Sequence, residues 1–261
     1  MSELPAGPPP CNIEAPSAFM SVELEFNQDT AGIRLNSAPS NIFDFDLMDQ
    51  LSEALDKTKN VSLLVISSAL EHFSLGVDVK IHTPELSERM LKKFHEVIRK
   101  LYNQKGITVS VLNGYALGGG MELALVCDFI FAHREAVIGF PEIRLACFPP
   151  VASVLLPRKI GSRASNYLYT GKLIHAIAAE EIGIIEGVFS DSAEEFLETI
   201  RLHSLSAMSV LKKVLRHTSG FNFDVELEKA EEVYLNELLG ISDMSEGISA
   251  FIEKRSPRFN Q

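Results

Sequence analysis

The sequence predicts an α/β domain with a helical C-terminal portion, and three observations carry that prediction. Apolar runs of strand length, Val61 to Ile66 and Ile107 to Leu112, alternate with stretches whose apolar residues recur at helical spacing. The last third of the chain reads mostly as helix, with Gly161, Gly171, Gly183, Gly220 and Gly240 as punctuation. Between these parts, the stretch Asn113 to Asp128, NGYALGGGMELALVCD, joins a buried strand to a helix through four glycines in seven residues.

Taken in order, Met20, Val22, Leu24 and Phe26 alternate with Ser21, Glu23 and Glu25, the mark of a half-buried strand within Phe19 to Phe26. Asn27 to Thr30 turns it into a partner strand, Ala31 to Leu35. Leu47, Met48, Leu51, Ala54 and Leu55 follow at helical spacing, then the strand Val61 to Ile66. The irregular EHFSLGVDV, Glu71 to Val79, precedes an amphipathic helix over Pro84 to Tyr102 and the strand Ile107 to Leu112. Phe129 to Ala132 and Val137 to Phe140 read as short strands, and Pro141-Glu142 opens a loop that runs through Pro149-Pro150. Strand-strand-helix units thus recur through the first half, and no linker cuts the chain into independent domains.

A length of 261 residues with 46% hydrophobic content is enough for one sizeable domain, or one domain with an appended helical piece. A formal net charge of -11 argues against nucleic acid or an anionic membrane surface as the main partner. Cys11, Cys127 and Cys147 are too few and too far apart for a disulfide framework or a metal knuckle, so a reducing cytoplasm is expected. The seven histidines show no metal-ligand spacing and read as ordinary surface or core residues; no metal is expected. No apolar run approaches a membrane span, and residues 1–18 read as a Pro-rich lead-in.

The glycine stretch carries the functional signal. A strand that ends in Gly118-Gly119-Gly120 and opens a helix gathers free N–H groups and the positive end of the helix dipole at one place, which favours negative charge. A phosphate-cradling loop needs Gly-Lys-Ser/Thr where Met121 and Glu122 follow, and Leu123 stands where a dinucleotide fingerprint needs its third glycine. An oxyanion site with its own acid or base remains, with Glu122 set in an apolar run. The bland alternative is a tight turn with a capping glutamate. Glu142, in GFPEIRLACF, is a second acid in apolar company; two desolvated glutamates on adjacent elements form the kind of pair in which environment assigns one to proton donation and the other to water activation.

At this point HFSLGVDV, NGYALGGGMELALVCD, IGFPEIRL, TGKLIHAIAAEEIGIIEGVF and SEGISAFIEKRSPRF together resemble the enoyl-CoA hydratase/isomerase (crotonase) superfamily in order and spacing, from about Phe19 to the C-terminus. The resemblance implies a crotonase-like spiral of ββα units over 19–200 and a helical C-terminal trimerisation region over 201–261, assembled as a homotrimer or a homohexamer. It implies an oxyanion hole formed by the N–H groups of Val77 and Gly119 around a thioester oxygen, with Glu122 and Glu142 as the two acid/base residues. Ser74, Leu75, Gly76, Asp78, Val79 and Gly118 are implied as further contacts to an acyl-CoA substrate, and Lys254 and Arg255 as partners for coenzyme A phosphates. Coenzyme A is then part of the substrate, and no separate cofactor is implied.

Within the family, LNSAPSNIFD, GVDVKIHTPE and PEIRLACFPPVASVLLPRKIG look like the hydratases of cyclic dienoyl-CoA esters in anaerobic aromatic degradation, which convert cyclohexa-1,5-diene-1-carbonyl-CoA to 6-hydroxycyclohex-1-ene-1-carbonyl-CoA. The loop Phe148-Pro149-Pro150-Val151 is then expected to wall an apolar acyl pocket for the ring, or else to be a rigid turn into the following helix. Leu75 stands where a small residue is usual, and Ala146-Cys147 replaces a common Gly-x. Two alternatives stay open: a hydratase or isomerase for another unsaturated acyl-CoA, and a non-catalytic acyl-CoA-binding scaffold.

Overall fold

A computed structural model describes residues 21–259, so the lead-in, together with Phe19 and Met20 of the first expected strand, lies outside the described residues. The first described elements are the hairpin β1 (Val22–Asn27) and β2 (Thr30–Leu35), paired antiparallel from Val22 with Leu35 to Asn27 with Thr30. The Asp44 carboxylate caps the helix α1 (Phe45–Thr58) by accepting from the Leu47 N–H at 2.8 Å. Strand β3 (Leu63–Ser68), helix α2 (Pro84–Tyr102) and strand β4 (Ile107–Leu112) follow. The expected limits of α2 and β4 match these, whereas β3 starts and ends two residues later than its apolar run.

The centre of the chain holds β5 (Tyr115–Leu117), α3 (Gly119–Leu125), β6 (Phe129–His133) and β7 (Val137–Gly139). Past a 3-10 turn at Pro141–Leu145 come α4 (Pro150–Ile160), α5 (Ala164–Thr170), β8 (Ile174–His175), α6 (Ala176–Glu181) and β9 (Gly187–Phe189). The two strands inside TGKLIHAIAAEEIGIIEGVF are too short to show a period, which is why the sequence reads as helix there. Four helices finish the chain: α7 (Glu194–Arg201), α8 (Leu205–Thr218), α9 (Phe223–Asn236) and α10 (Ser242–Ile252).

The strands form a six-stranded sheet in the order β1-β2-β3-β4-β6-β9 and a three-stranded sheet in the order β5-β7-β8. All neighbours in the large sheet past β2 are parallel. Its central strands are apolar on both faces, as parallel strands covered on both sides must be. Leu64 and Ile66 of β3 join the main core with α1 and α2, while Leu63 faces a second cluster with Ile107, Val109 and Phe131 beneath Leu197 and Ile200 of α7. The expected alternation of β1 fades at its end, where Phe26 is 56% exposed. No described helix is long and apolar enough to cross a membrane.

Two loops leave the parallel sheet at the same end, after β3 and after β4. An isolated bridge between Ser74 and Ala116 holds them side by side, and that juxtaposition builds the site.

Candidate active site

The loop after β3 is tied residue by residue. The Ser74 hydroxyl donates to the Asn41 carbonyl at 2.7 Å and accepts from the Gly76 N–H at 3.0 Å. The Asp78 N–H donates to the Phe43 carbonyl at 3.1 Å, and the Gly76 carbonyl accepts from the Phe43 N–H at 2.9 Å. Among the described residues the Val77 N–H, between these tied neighbours, is given no partner. Gly76 sits at φ +95°, and a Cβ there would come within 2.9 Å of the Leu117 carbonyl and 3.2 Å of the Gly119 nitrogen, so only glycine lets the two loops meet.

On the facing loop the Gly118 N–H donates to the Gly139 carbonyl at 2.9 Å, which removes it from any ligand. The Gly119 N–H is the first of α3 and has no intrahelical acceptor. A Cβ built on Gly119 lies 3.4 Å from the Val77 nitrogen, so the two main chains run in contact. Val77 and Gly119 line one cavity of about 360 Å³, which is largely apolar. Two unspent N–H groups at the mouth of a helix, in a largely apolar recess, are suited to an oxygen that gains negative charge.

Glu122 is buried in the first turn of α3 and opens on the same cavity. Its Oε1 accepts from the Ala152 N–H at 3.0 Å, and the Val151 N–H also faces the carboxylate. The N-terminus of α4 thus caps a side chain from another helix. Burial nonetheless pushes its pKa up to about 7, the two amides holding it from going higher. Glu142 sits in the 3-10 turn at Pro141–Leu145; the residue keeps some exposure, but its Oε2 is fully buried and unpartnered. Burial first, and then the Glu122 charge, push this carboxyl well above the usual range. Glu142 Oε1 is 2.5 Å from the place a Cβ would take on Gly118, itself at φ +52°, so that glycine makes room for the second acid.

Together these groups can hold one negative charge between them at neutral pH. The carboxylate with two amide donors takes it, and the unpartnered one keeps its proton. The site therefore presents a base and an acid side by side next to an anion-binding pair of amides.

The other expected contacts divide. Leu75, Gly76, Val79, Gly118 and Phe148 line the cavity, with Phe148 edge-on to Tyr234 at 5.3 Å between ring centroids. Ser74, Asp78 and Val151 do not. Ser74 and Val151 are fully buried behind the wall, the first bracing its loop and the second offering its main chain to Glu122. Asp78 caps the turn Val79–Ile81 through the Lys80 N–H at 3.0 Å and lines a separate recess with Lys80 and Lys254. Arg255 is already paired with Glu246, which is held down to about 2 by it and by the Arg258 N–H. The loop 148–151 is both expected things at once: Phe148, Pro149 and Pro150 wall the cavity, and Pro150 begins α4.

Three residues escaped the sequence reading. Tyr234 of α9 and His95 of α2 line the cavity with an unpartnered Oη and Nε2, and Arg144 lines it while donating to the Gly171 carbonyl at 2.8 Å. His95 carries no sequence signal, since it falls on the apolar face of α2 where a core histidine looks the same. Tyr234 is distant from every motif.

Comparison with known proteins identifies the family. The family model described as enoyl-CoA hydratase/isomerase matches residues 25–261. The chain is 32% identical over 248 residues to the cyclohexa-1,5-dienecarbonyl-CoA hydratase of Thauera aromatica, covering 92% of this chain and 96% of that one. It is 30% identical over 231 residues to the 2,3-dehydroadipyl-CoA hydratase of Escherichia coli, 85% of this chain and 90% of the relative. A crystal structure of an enoyl-CoA hydratase from Bacillus halodurans superposes with a TM-score of 0.80 at 22% identity, over 88% of this chain and 99% of that chain. That likeness supports the fold: two sheets of crotonase type with C-terminal helices. With a family match over residues 25–261 and relatives that are hydratases of acyl-CoA thioesters, the chain belongs to the enoyl-CoA hydratase/isomerase family and is a hydro-lyase of enoyl-CoA hydratase type.

Proposed function

We propose that this enzyme adds water to a conjugated cyclic dienoyl-CoA thioester, cyclohexa-1,5-diene-1-carbonyl-CoA, and yields 6-hydroxycyclohex-1-ene-1-carbonyl-CoA. The observation that carries the reading is the pair of desolvated glutamate carboxyls, one held by two amides and the other with an unpartnered oxygen, beside the Val77 and Gly119 amides. The ring is favoured over a linear chain by the likeness to the Thauera aromatica hydratase along nearly its whole length.

In this mechanism the thioester oxygen sits between the N–H groups of Val77 and Gly119. Glu122, ionised and held by the amides of α4, takes a proton from water as its oxygen bonds to the β-carbon. The electron pair of that double bond moves to the thioester oxygen, and a dienolate forms across the second double bond. Glu142 then gives its proton to the γ-carbon, which restores the thioester carbonyl and leaves a double bond between the α- and β-carbons on that side. Water's two hydrogens are accounted for: one stays on the new hydroxyl, the other replaces the Glu142 proton after exchange. Each amide is worth roughly 3 kcal/mol of barrier, and each positioned carboxyl roughly 10² to 10⁴ in rate.

A panel of cyclic and linear enoyl-CoA esters, followed by ultraviolet absorbance and product mass, tests the reading. Turnover of the cyclic diene well above crotonyl-CoA supports it. Fast hydration of crotonyl-CoA with an inert ring ester replaces it with a linear-chain hydratase, and thioester binding without turnover replaces it with a binding scaffold.

A further inference from the structure

Five buried side-chain polar atoms among the described residues have no hydrogen-bond partner, and three of them belong to residues lining this one cavity: Glu142 Oε2, Tyr234 Oη and His95 Nε2. The mechanism above uses the first. The other two are unexplained, and leaving a buried polar atom unpaired is costly enough that such atoms are rare without a purpose.

Their hydrogen-bonding characters are fixed by what surrounds them. The His95 ring is fully buried, and its Nδ1 pairs with the Glu231 carboxylate, which Arg99 also holds at 3.0 Å. A carboxylate can only accept, so Nδ1 carries the proton, and in the neutral ring Nε2 is left as a lone pair. Burial keeps the ring neutral, lowering its pKa. Tyr234 is 2% exposed; burial first, and then the adjacent Cys147 thiol, hold its phenol protonated, and beyond that weakly accepting sulfur its Oη–H has no acceptor. Glu231 and Tyr234 stand three residues apart on α9, hence on one side of that helix, and His95 reaches the same side from α2. An acceptor from α2 and a donor from α9 therefore interrupt an otherwise apolar wall.

We propose that His95 Nε2 and Tyr234 Oη form a hydroxyl-binding subsite for the acyl group: the ligand's hydroxyl donates to His95 and accepts from Tyr234. A hydroxyl satisfies both at once. A carbonyl leaves the His95 lone pair facing another lone pair, a carboxylate adds charge beside Glu122, and a bare hydrocarbon leaves both atoms unpaired. The subsite accordingly favours ring thioesters that carry a hydroxyl, as the hydrated product of the proposed reaction does and the diene does not. This rests on the reading of the cavity as an acyl-CoA site.

Benzoyl-CoA and the positional isomers of hydroxybenzoyl-CoA are suitable probes, because hydration would cost their aromaticity and they bind without reacting. By calorimetry, at least one isomer should bind the native enzyme about tenfold more tightly than benzoyl-CoA. Tyr234→Phe, which removes a single oxygen, should abolish that preference and leave benzoyl-CoA affinity within about twofold. His95→Met should do the same, and the pair of variants guards against one that misfolds. Equal binding of all the esters by the native enzyme overturns the subsite alone. A preference that survives both substitutions also overturns it. Equal weakening of benzoyl-CoA and its hydroxy derivatives assigns the two residues to structure or to the coenzyme A arm, which again overturns it. If no ester binds, the acyl-CoA reading of the cavity falls as well.

Discussion

Replacing Glu122 by Gln should make a dead enzyme that is more stable than the native one, by an amount that depends on pH. Burial raises the Glu122 carboxyl from 4.5 to about 7 in the fold. The folded protein therefore holds a proton that the unfolded chain releases between those values, and stability falls as pH rises through that window. A shift of about 2.5 units at 1.36 kcal/mol per unit costs about 3 kcal/mol above pH 7 and almost nothing below pH 4.5. Gln keeps an oxygen for the Ala152 N–H and never ionises, so the cost vanishes. Loss of the Glu122 charge also eases ionisation of Glu142, whose pKa that charge helps to raise. For a chain of this size the gain corresponds to about 6 to 12 °C in Tm at pH 8. Differential scanning calorimetry of both proteins at pH 5, 6, 7 and 8, beside the hydratase rate, measures it. The rate should drop at least about a hundredfold. A Gln variant no more stable than the native enzyme at pH 8, or a difference that does not grow with pH, refutes the claim that Glu122 is desolvated at a cost.

Three more outcomes follow from other parts of the structure. Gly119→Ala places a Cβ 2.8 Å from Val77 Cγ2 and forces the two amides apart, so kcat/KM should fall on the order of 10²-fold while the circular dichroism spectrum stays native. Ala146 ends the Glu142 turn in a left-handed conformation at φ +54°, which glycine adopts without strain; Ala146→Gly should raise stability by about 0.5 to 1 kcal/mol in urea titration. Leu211 and Leu215 lie a turn apart on α8 at 55% and 62% exposure, with Val210 and Val214 beside them, and such a patch fits the trimer contact that the sequence resemblance implies. Changing both leucines to Lys should leave a folded but smaller species in sedimentation velocity; unchanged size refutes this patch as an oligomer contact.

The sequence showed most where a pattern repeats. Helix α2 could be bounded to the residue because Pro84 starts it and its apolar face never lapses, and β4 because Ile107, Val109, Val111 and Leu112 fill most of its length. Short β8 and β9 were invisible, since two or three residues define no period. The glycine cluster marked the anion-binding turn, but only the paired tethering of Gly76, Asp78 and Gly118 explains why Val77 and Gly119 keep their N–H groups free. The identity of Glu122's stabiliser, the amides opening α4, is a contact thirty residues away in sequence and leaves no trace in the letters. Tyr234 and His95 were missed for the same reason: each looks like core until the cavity between α2 and α9 is seen.

The central claim is that base and acid act on opposite ends of a dienolate held by two main-chain amides. Hydration of cyclohexa-1,5-diene-1-carbonyl-CoA in D2O, with the product read by proton NMR, tests it most directly. A single deuterium on the ring CH2 beside the vinylic carbon, γ to the thioester across the new double bond, is the predicted result; deuterium at any other ring carbon, or no hydrated product, contradicts it.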